Sequence, residues 1–259
     1  MSPTSTALLT AALTIAAVML VTWLISVPLK NASIVDIVWG LGFVAVAWAV
    51  RWRVDGNDAR QWLLVAMTTA WGLRLGGYLW WRNHGKGEDF RYQAMRRKAP
   101  ERFWLLSLVR VFGVQGVVMW LVSLPVQLGQ VRTTPAVGWL AGAGVVVWAV
   151  GLGFEAIGDA QLARFKANPA NAGAVMDRGL WRYTRHPNYF GDACVWWGIA
   201  LVAAETGLGA VGLIGAAVMT VFLRRISGVT LLEKSLVKRR PGYAEYVART
   251  SPFIPRPPR

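Results

Sequence analysis

The chain has 259 residues, 55% of them hydrophobic, and a formal net charge of +15. Several apolar runs of about 20 residues are long enough to cross a bilayer as helices, which excludes an ordinary soluble domain. In a soluble protein this charge would indicate a nucleic-acid partner. Here Arg and Lys are dense in alternate connections, the pattern that orients membrane proteins, so we expect no nucleic acid. One cysteine and two histidines exclude an intramolecular disulfide and give no basis for a metal site.

The apolar runs predict an all-α integral membrane protein whose single polytopic domain covers residues 1–259. Seven transmembrane helices are predicted, at residues about 7–28, 33–52, 62–81, 103–128, 135–156, 189–204 and 207–223, followed by a tail over 224–259. Basic residues are dense in 82–102, in 164–185 and from Arg224 onward. This distribution predicts an N-terminus outside and a C-terminus in the cytoplasm.

Asp36 is an ionisable residue inside the second predicted span. Such a residue costs about 2.5–3.5 kcal/mol on insertion scales and is by default a functional hypothesis. The alternative is a carboxylate at a helix start, hydrogen-bonded by Asn31 or Ser33. Arg74, in the third predicted span, either pairs with Asp36, contacts a phosphate or extends its charged end towards the cytoplasm.

The loop after the third predicted span contains Glu88-Asp89-Phe90-Arg91-Tyr92. Flexible glycines precede it, and acidic and basic residues alternate within it. This composition predicts an ordered cytoplasmic cap, although a solvated connector has a similar composition.

The stretch from Gly179 to Asp192 brings charged and polar residues to one hydrophobic boundary. Pro187 suits the first turn of a helix, and a helix start with Arg185 upstream can hold a phosphate. Arginines at a membrane interface can instead contact lipid headgroups. Asn188 and Asp192 are four residues apart and share one helix face, which favours a binding site.

The tail from Leu231 to Pro255 has the spacing of a short amphipathic helix on the cytoplasmic face. A basic anchor against anionic lipid would have similar spacing. Tyr243, Tyr246 and Arg249 are candidates for stacking and phosphate contacts.

These motifs together resemble a known family. The block Gly179–Asp192, with Glu233 and the segment from Pro241 to Pro255, resembles the C-terminal half of the membrane steroid 5α-reductase family. The motifs around Asp36, Trp71 and Arg74, and the loop from Glu88 to Tyr92, resemble the bacterial branch catalogued as a domain of unknown function (DUF1295). The resemblance covers nearly the whole chain.

The resemblance implies a seven-helix enzyme that holds NADPH in a pocket open to the cytoplasm. Its reaction would be the reduction of the C4–C5 double bond of 3-oxo-Δ4 steroids, or of a similar lipophilic enone entering from the bilayer. The implied partners are this substrate and membrane lipid, and the implied location is a bacterial inner membrane.

Five positions match residues that bind the cofactor in the family. Asn188 and Asp192 match the start of the sixth helix, Asp159 and Lys166 follow the fifth, and Arg224 ends the seventh. The other cofactor contacts that we predict are Arg164, Asn171, Trp181, Tyr183, Arg185, His186, Tyr189, Tyr243, Tyr246 and Arg249.

In the family, a Glu on the second helix and a Tyr on the third meet the substrate carbonyl. Asp36 is a shorter match for the Glu. The place of the Tyr falls near Trp71, which leaves Tyr78 and Tyr92 as possible replacements. A buried, protonated Asp36 could donate a hydrogen bond to the carbonyl oxygen, where negative charge builds as hydride reaches the β-carbon.

Two other functions compete with the reductase. S-adenosylmethionine-dependent membrane methyltransferases, such as the isoprenylcysteine carboxyl type, share the Arg-His-Pro-x-Tyr-x-Gly block. They usually have consecutive glutamates after the last helix, whereas this chain has Leu232-Glu233. The other candidate is a protein that binds a lipid or sterol without catalysing a reaction. The presence of Asn188, Asp192, Lys166 and Arg224 argues against it, because such a binder needs no cytoplasmic pocket for phosphates.

Overall fold

The computed structural model of the protein describes residues 1–226, 229, 233, 236 and 240–258. The chain forms two compact units, each built from two segments. The N-terminal unit comprises Met1–Gly142 and Ile199–Gly215. The C-terminal unit comprises Ala143–Gly198 and Ala216–Arg259.

The first seven helices lie in the N-terminal unit. Helix α2 packs on both α1 and α3, and it approaches α3 so closely that a Cβ on Gly40 would lie 2.7 Å from the carbonyl oxygen of Gly72. The helices are α1 (Pro3–Ser26), α2 (Ile34–Arg51), α3 (Asp58–Asn83), α4 (Phe90–Lys98), α5 (Phe103–Ser107), α6 (Val114–Val122) and α7 (Leu124–Leu128).

The fourth predicted span is a helix interrupted twice. A π-helical segment, Leu108–Gly113, separates α5 from α6, and the chain breaks again at Ser123 before α7. Pro125 explains the second break, because a proline lacks the N–H that a continuing helix needs and is tolerated in the first turn of a new one.

Three further helices follow: α8 (Trp139–Ala167), α9 (Pro187–Ala204) and α10 (Leu213–Val221). Within the C-terminal unit, α8 and α9 pack through glycines. A Cβ on Gly191 would lie 2.5 Å from both the Glu155 nitrogen and the Gly151 oxygen. This close approach brings the polar residues of the two helices within hydrogen-bonding distance.

Helix α8 continues to Ala167, beyond the predicted end at residue 156. Residues 157–167 are too polar to extend an apolar run, but they include Ala, Gln, Leu, Arg and Lys, which favour helix. Asp159 and Lys166 therefore lie on the helix itself rather than on a connection after it.

Among the described residues, five helical segments are long and apolar enough to cross a membrane, which indicates an integral membrane protein. They are Pro3–Ser26, Ile34–Arg51, Phe103–Val122, Trp139–Ala167 and Gly209–Ile226. The third and sixth predicted spans are helices, α3 and α9, but they are outside this group. The prediction of an all-α membrane protein is confirmed, and the count of seven spans and their orientation stay predictions.

The last helix that we name is α11 (Tyr243–Arg249), within the predicted tail helix. Of residues 227–239, only 229, 233 and 236 are described, so the earlier part of that prediction lies outside the described residues. After α11 in the sequence, the tail contacts Thr184, which precedes the Arg-His-Pro block. Thr184 and Ser251 form a parallel bridge, and the Thr184 hydroxyl donates to the Phe253 carbonyl at 2.8 Å.

Candidate active site

In the N-terminal unit, two carboxyl groups, a guanidinium, a phenol and an amide form one cluster. We call it the Asp36 cluster, and its members are Asp36, Asp89, Arg91, Tyr92 and Gln115. Arg91 Nη2 donates to Asp36 Oδ2 at 2.7 Å, and the Tyr92 hydroxyl donates to Asp36 Oδ1 at 2.7 Å. Both carboxylate oxygens of Asp36 thus accept a hydrogen bond. Of the two arginines considered as its partner, Arg91 is therefore the one that pairs with Asp36.

The phenol of Tyr92 is held between two partners. It donates to Asp36 and accepts from Gln115 Nε2 at 3.2 Å, and the residue is 7% exposed. Burial and then the negative charge of Asp36 raise the pKa of Tyr92 above its ordinary value. The phenol therefore keeps its proton across the physiological range.

Arg91 is fixed on one edge by two carboxylates. Its Nε donates to Asp89 Oδ1 at 2.8 Å while Nη2 holds Asp36, and the guanidinium carbon lies 5.4 Å from the centre of the Tyr92 ring. Burial lowers the pKa of Arg91, but the hydrogen bond to Asp89 and the charge of Asp36 outweigh it and raise the pKa. Arg91 is therefore a permanent cation.

Glu88 attaches the loop before α4 to the start of α2. Arg96 donates to both oxygens of Glu88, at 2.8 and 2.9 Å, and the Ala32 N–H donates to Oε1 at 2.8 Å. Burial raises the pKa of Glu88, but these hydrogen bonds outweigh burial and hold the pKa below its ordinary value of 4.5. The loop is thus held by hydrogen bonds, and its role as a cytoplasmic cap stays a prediction.

This pairing predicts a pH-dependent stability. Because the folded state depresses the pKa of Glu88, the stabilisation is complete above the unfolded-state pKa and is lost as pH falls through the folded-state pKa. We expect Glu88→Gln to lower the melting temperature at neutral pH, and its difference from wild type to shrink below about pH 4.5. Melting curves at several pH values test this, with the exposed Glu101→Gln as control. An undiminished difference in acid would contradict the ionic explanation.

Tyr78, the other predicted catalytic tyrosine, lies on α3. The guanidinium carbons of Arg74 and Arg82 lie 5.4 and 5.6 Å from the centre of its ring. The structure therefore places Tyr78 between two cations, and of the two tyrosines it is Tyr92 that hydrogen-bonds Asp36.

In the C-terminal unit, two predicted cofactor residues from distant segments meet. Asn188, at the start of α9, donates from Nδ2 to Asp159 Oδ1 on α8 at 3.1 Å. Asp159 and Asp192 are 4% and 8% exposed. The close glycine packing of α8 on α9 makes this juxtaposition possible.

Arg185 and His186 meet the tail. Arg185 binds both oxygens of Glu233, at 2.7 and 3.1 Å, and its Nη1 donates to the carbonyls of Val247, at 3.0 Å, and Thr250. The His186 ring nitrogen Nε2 lies 3.1 Å from Glu233 Oε1. Burial raises the pKa of Glu233, but bonds to these two residues outweigh it and lower the pKa. Arg185 is thus paired with a carboxylate of the protein itself, that of Glu233.

Aromatic residues of the same predicted set support this attachment. The Tyr246 hydroxyl donates to the Trp181 carbonyl, and the Trp181 indole donates to the Gly158 carbonyl at 3.0 Å. Burial and then the charge of Glu233 raise the pKa of Tyr243 to about 12. Tyr189 stacks on the His186 ring, with centroids 5.4 Å apart.

The remaining predicted cofactor residues lie on or near the surface of the C-terminal unit. Asn171 donates to the Phe165 carbonyl at 2.9 Å, and Arg249 donates to Asp177 at 2.5 Å. Arg224 lies with its guanidinium carbon 5.4 Å from the centre of the Phe253 ring. Three further members of the set are exposed: Arg164, Lys166 and Tyr183.

Similarity to known proteins shows the family of this chain. A family model described as "Protein of unknown function (DUF1295)" matches residues 22–250. The chain belongs to the DUF1295 family. It is also 25% identical to the uncharacterized protein C594.04c of Schizosaccharomyces pombe, over 91% of this chain and 76% of that protein. No solved structure matches the chain.

For this DUF1295 protein, sequence reasoning missed three members of the Asp36 cluster. Asp89, Arg91 and Gln115 were not among the predicted site residues, although Arg91 contacts Asp36, Gln115 contacts Tyr92 and Asp89 contacts Arg91. The signal for Arg91 was its place in the charged loop from Glu88 to Tyr92. Among the described residues, no group of three or more His, Cys, Asp or Glu is placed to hold a metal ion.

Proposed function

We propose that this DUF1295 protein is an NADPH-dependent reductase that saturates the carbon–carbon double bond of a lipophilic enone, such as the Δ4 bond of a 3-oxo steroid. The observation that carries the proposal is the hydrogen bond between Asn188 and Asp159. The resemblance assigns both residues to the cofactor, and they lie 29 residues apart in the sequence. The association of the family with steroid 5α-reductase-like proteins supports the same activity.

The residues of the C-terminal unit fit a phosphorylated dinucleotide. Asp159 and Asp192 can accept hydrogen bonds from ribose hydroxyls, and the amide of Asn188 can both donate and accept. Arg164 and Lys166, in the last turn of α8, supply exposed positive charge for phosphates. These residues would hold NADPH, which when bound supplies a hydride.

The Asp36 cluster provides the polar partner for the substrate. Saturation of an enone moves negative charge onto the carbonyl oxygen, and a hydrogen-bond donor fixed at that oxygen stabilises the transition state more than the ground state. Tyr92 and Arg91 are donors that keep their protons, and Asp36 fixes both. The apolar helices suit a lipophilic substrate.

The proposal includes seven spans with a cytoplasmic C-terminus. Helix α3 has 26 residues, so it is about 39 Å long and exceeds the thickness of the hydrocarbon core. Trp62 lies near its start and Trp80 near its end, both exposed, as expected for aromatic residues at the two interfaces of a bilayer. Helix α9, with 18 residues, would be the sixth span.

The test asks which cofactor stabilises detergent-purified protein. A ligand that binds only the folded state raises its apparent stability, so NADPH should raise the melting temperature and S-adenosylmethionine should not. Stabilisation by S-adenosylmethionine alone would overturn the proposal in favour of a methyltransferase. The contact of His186 with Glu233 keeps that alternative in the test, because both belong to motifs that such enzymes share.

Asn188→Ala should weaken NADPH binding about tenfold, the effect of losing about 1.4 kcal/mol. The variant loses the amide and with it the hydrogen bond that joins Asn188 to buried Asp159. Titration of NADPH fluorescence measures the change, and Asn168→Ala, at an exposed position in the same unit, is the matched control. Equal affinities of the two variants would remove Asn188 from the cofactor site.

A further inference from the structure

Each carboxyl oxygen of Asp36 faces a hydrogen-bond donor from the chain. Oδ2 accepts from the permanently charged Arg91, and Oδ1 accepts from the Tyr92 hydroxyl. Both carboxyl oxygens are therefore already engaged by donors of the chain, and neither is left to serve a substrate carbonyl.

Tyr92 has one proton, and that proton is directed at Asp36. Gln115 donates to the phenol oxygen from the other side, which fixes the hydroxyl in this orientation. To serve a substrate, Tyr92 would have to leave its hydrogen bond to the half-buried carboxyl group of Asp36.

Arg91 differs because a guanidinium has five N–H donors. Two of them are bonded within the described residues, Nε to Asp89 and one N–H of Nη2 to Asp36. These two lie on one edge of the planar group. The adjacent edge, formed by Nη1 and the second N–H of Nη2, has no hydrogen-bond partner among the described residues, and the side chain is 39% exposed.

That edge is also held in place. Carboxylates bind the near edge from α2 and from the residue before α4, and the Tyr92 ring lies beside the guanidinium plane. Burial raises the pKa of Asp89, but its hydrogen bonds from Arg91 and then the charges of Arg91 and Arg82 outweigh burial and lower the pKa. Donors fixed before the reaction need no reorganisation when charge develops.

We propose that Arg91 is a catalytic residue of the proposed reductase, and that its free edge donates two hydrogen bonds to the carbonyl oxygen of the enone substrate. The assignment rests on the proposed function. Asp36, Asp89 and Tyr92 are then positioning residues, which hold the guanidinium at a fixed angle.

NADPH would supply the hydride with its electron pair by breaking a C–H bond of its nicotinamide, and would be left as NADP⁺. The hydride forms a C–H bond at the β-carbon of the enone, and the π pair of the carbon–carbon double bond moves to make an enolate, whose oxygen Arg91 binds. A proton from water then adds to the α-carbon. Arg91 remains protonated throughout, so it stabilises charge and transfers no proton.

The test uses full-length protein and testosterone as the Δ4-3-oxo probe. A hydrogen-bonded carbonyl has a weaker C=O bond, so the infrared band of isotope-labelled testosterone should move to lower frequency when bound to wild type without any cofactor. We expect Arg91→Gln to lose this shift and to lower kcat by about a hundred-fold or more. Arg97→Gln, at an exposed position on the same helix, should change neither.

Arg91→Lys keeps an ion pair with Asp36 and so protects the local fold, but it loses the two-donor edge. We expect a wild-type melting temperature with a reduced band shift. A full shift and full rate in either Arg91 variant would overturn the assignment while leaving the reductase in place. A shifted band that depends on Arg91, without oxidation of NADPH, would overturn the reductase and leave Arg91 as a carbonyl-binding residue.

Discussion

Arg185→Met should destabilise the folded protein by about 3–5 kcal/mol, the usual cost of removing one partner of a buried ion pair. The side chains of Arg185 and Glu233 are 7% and 19% exposed, so the remaining carboxylate would have little access to water. The substitution also removes the donor to the carbonyls of Val247 and Thr250. The melting temperature of the ligand-free protein, with proteolysis of the tail, measures the loss.

Arg182→Met is the matched control, because Arg182 is exposed and lies three residues earlier in the same motif. Adding Glu233→Leu to Arg185→Met should recover part of the stability, since replacing both partners of a buried pair costs less than removing one. If Arg185→Met melted like wild type and lost only NADPH affinity, Arg185 would be a phosphate ligand, as the motif predicts from sequence.

The same motif illustrates what sequence can predict. An arginine before a helix start can serve a phosphate or a carboxylate, because the guanidinium binds either by the same two-pronged geometry. The carboxylate in this protein, Glu233, is 48 residues away, and its approach depends on the path of the tail. The motif can therefore be recognised in the sequence, but the pairing of Arg185 with Glu233 can be seen only in the folded structure.

The helices show a similar division. Apolar runs predicted where helices form, because burial of an apolar face in lipid or core determines them. They did not predict the continuation of α8 to Ala167, because its last turns are polar and continue by local propensity. They also missed the break at Ser123, although Pro125 was a visible signal.

Two members of the Asp36 cluster, Asp36 and Tyr92, were predicted from the sequence. Asp36 was identified because a carboxylate in a span is costly, and Tyr92 came from the resemblance. Arg91 was missed because the sequence holds 28 Arg and Lys residues and Asp36 lies 55 positions away. Pairing one acid with one of many bases requires the position of α4.

Asp36→Ala should lower turnover by about a hundred-fold or more while NADPH affinity stays near that of wild type. The side chain binds Arg91 on one oxygen and Tyr92 on the other, so its removal frees the orientation of two donors at once. Transition-state stabilisation depends on donors that are fixed in advance, so their release lowers kcat more than it raises KM. Steady-state kinetics with a Δ4-3-oxo steroid, alongside NADPH titration, separates the two effects.

Asp58→Ala is the matched control for this variant, because Asp58 lies in the first turn of α3, has a side chain that is 80% exposed and pairs with Arg51. Asp36→Asn keeps the size and one acceptor oxygen but loses the charge that holds Arg91, so it should fall between Asp36→Ala and wild type. Wild-type turnover by Asp36→Ala, with its fold intact, would make Asp36 a structural residue. The enone carbonyl would then have to be met by a group that Asp36 does not position.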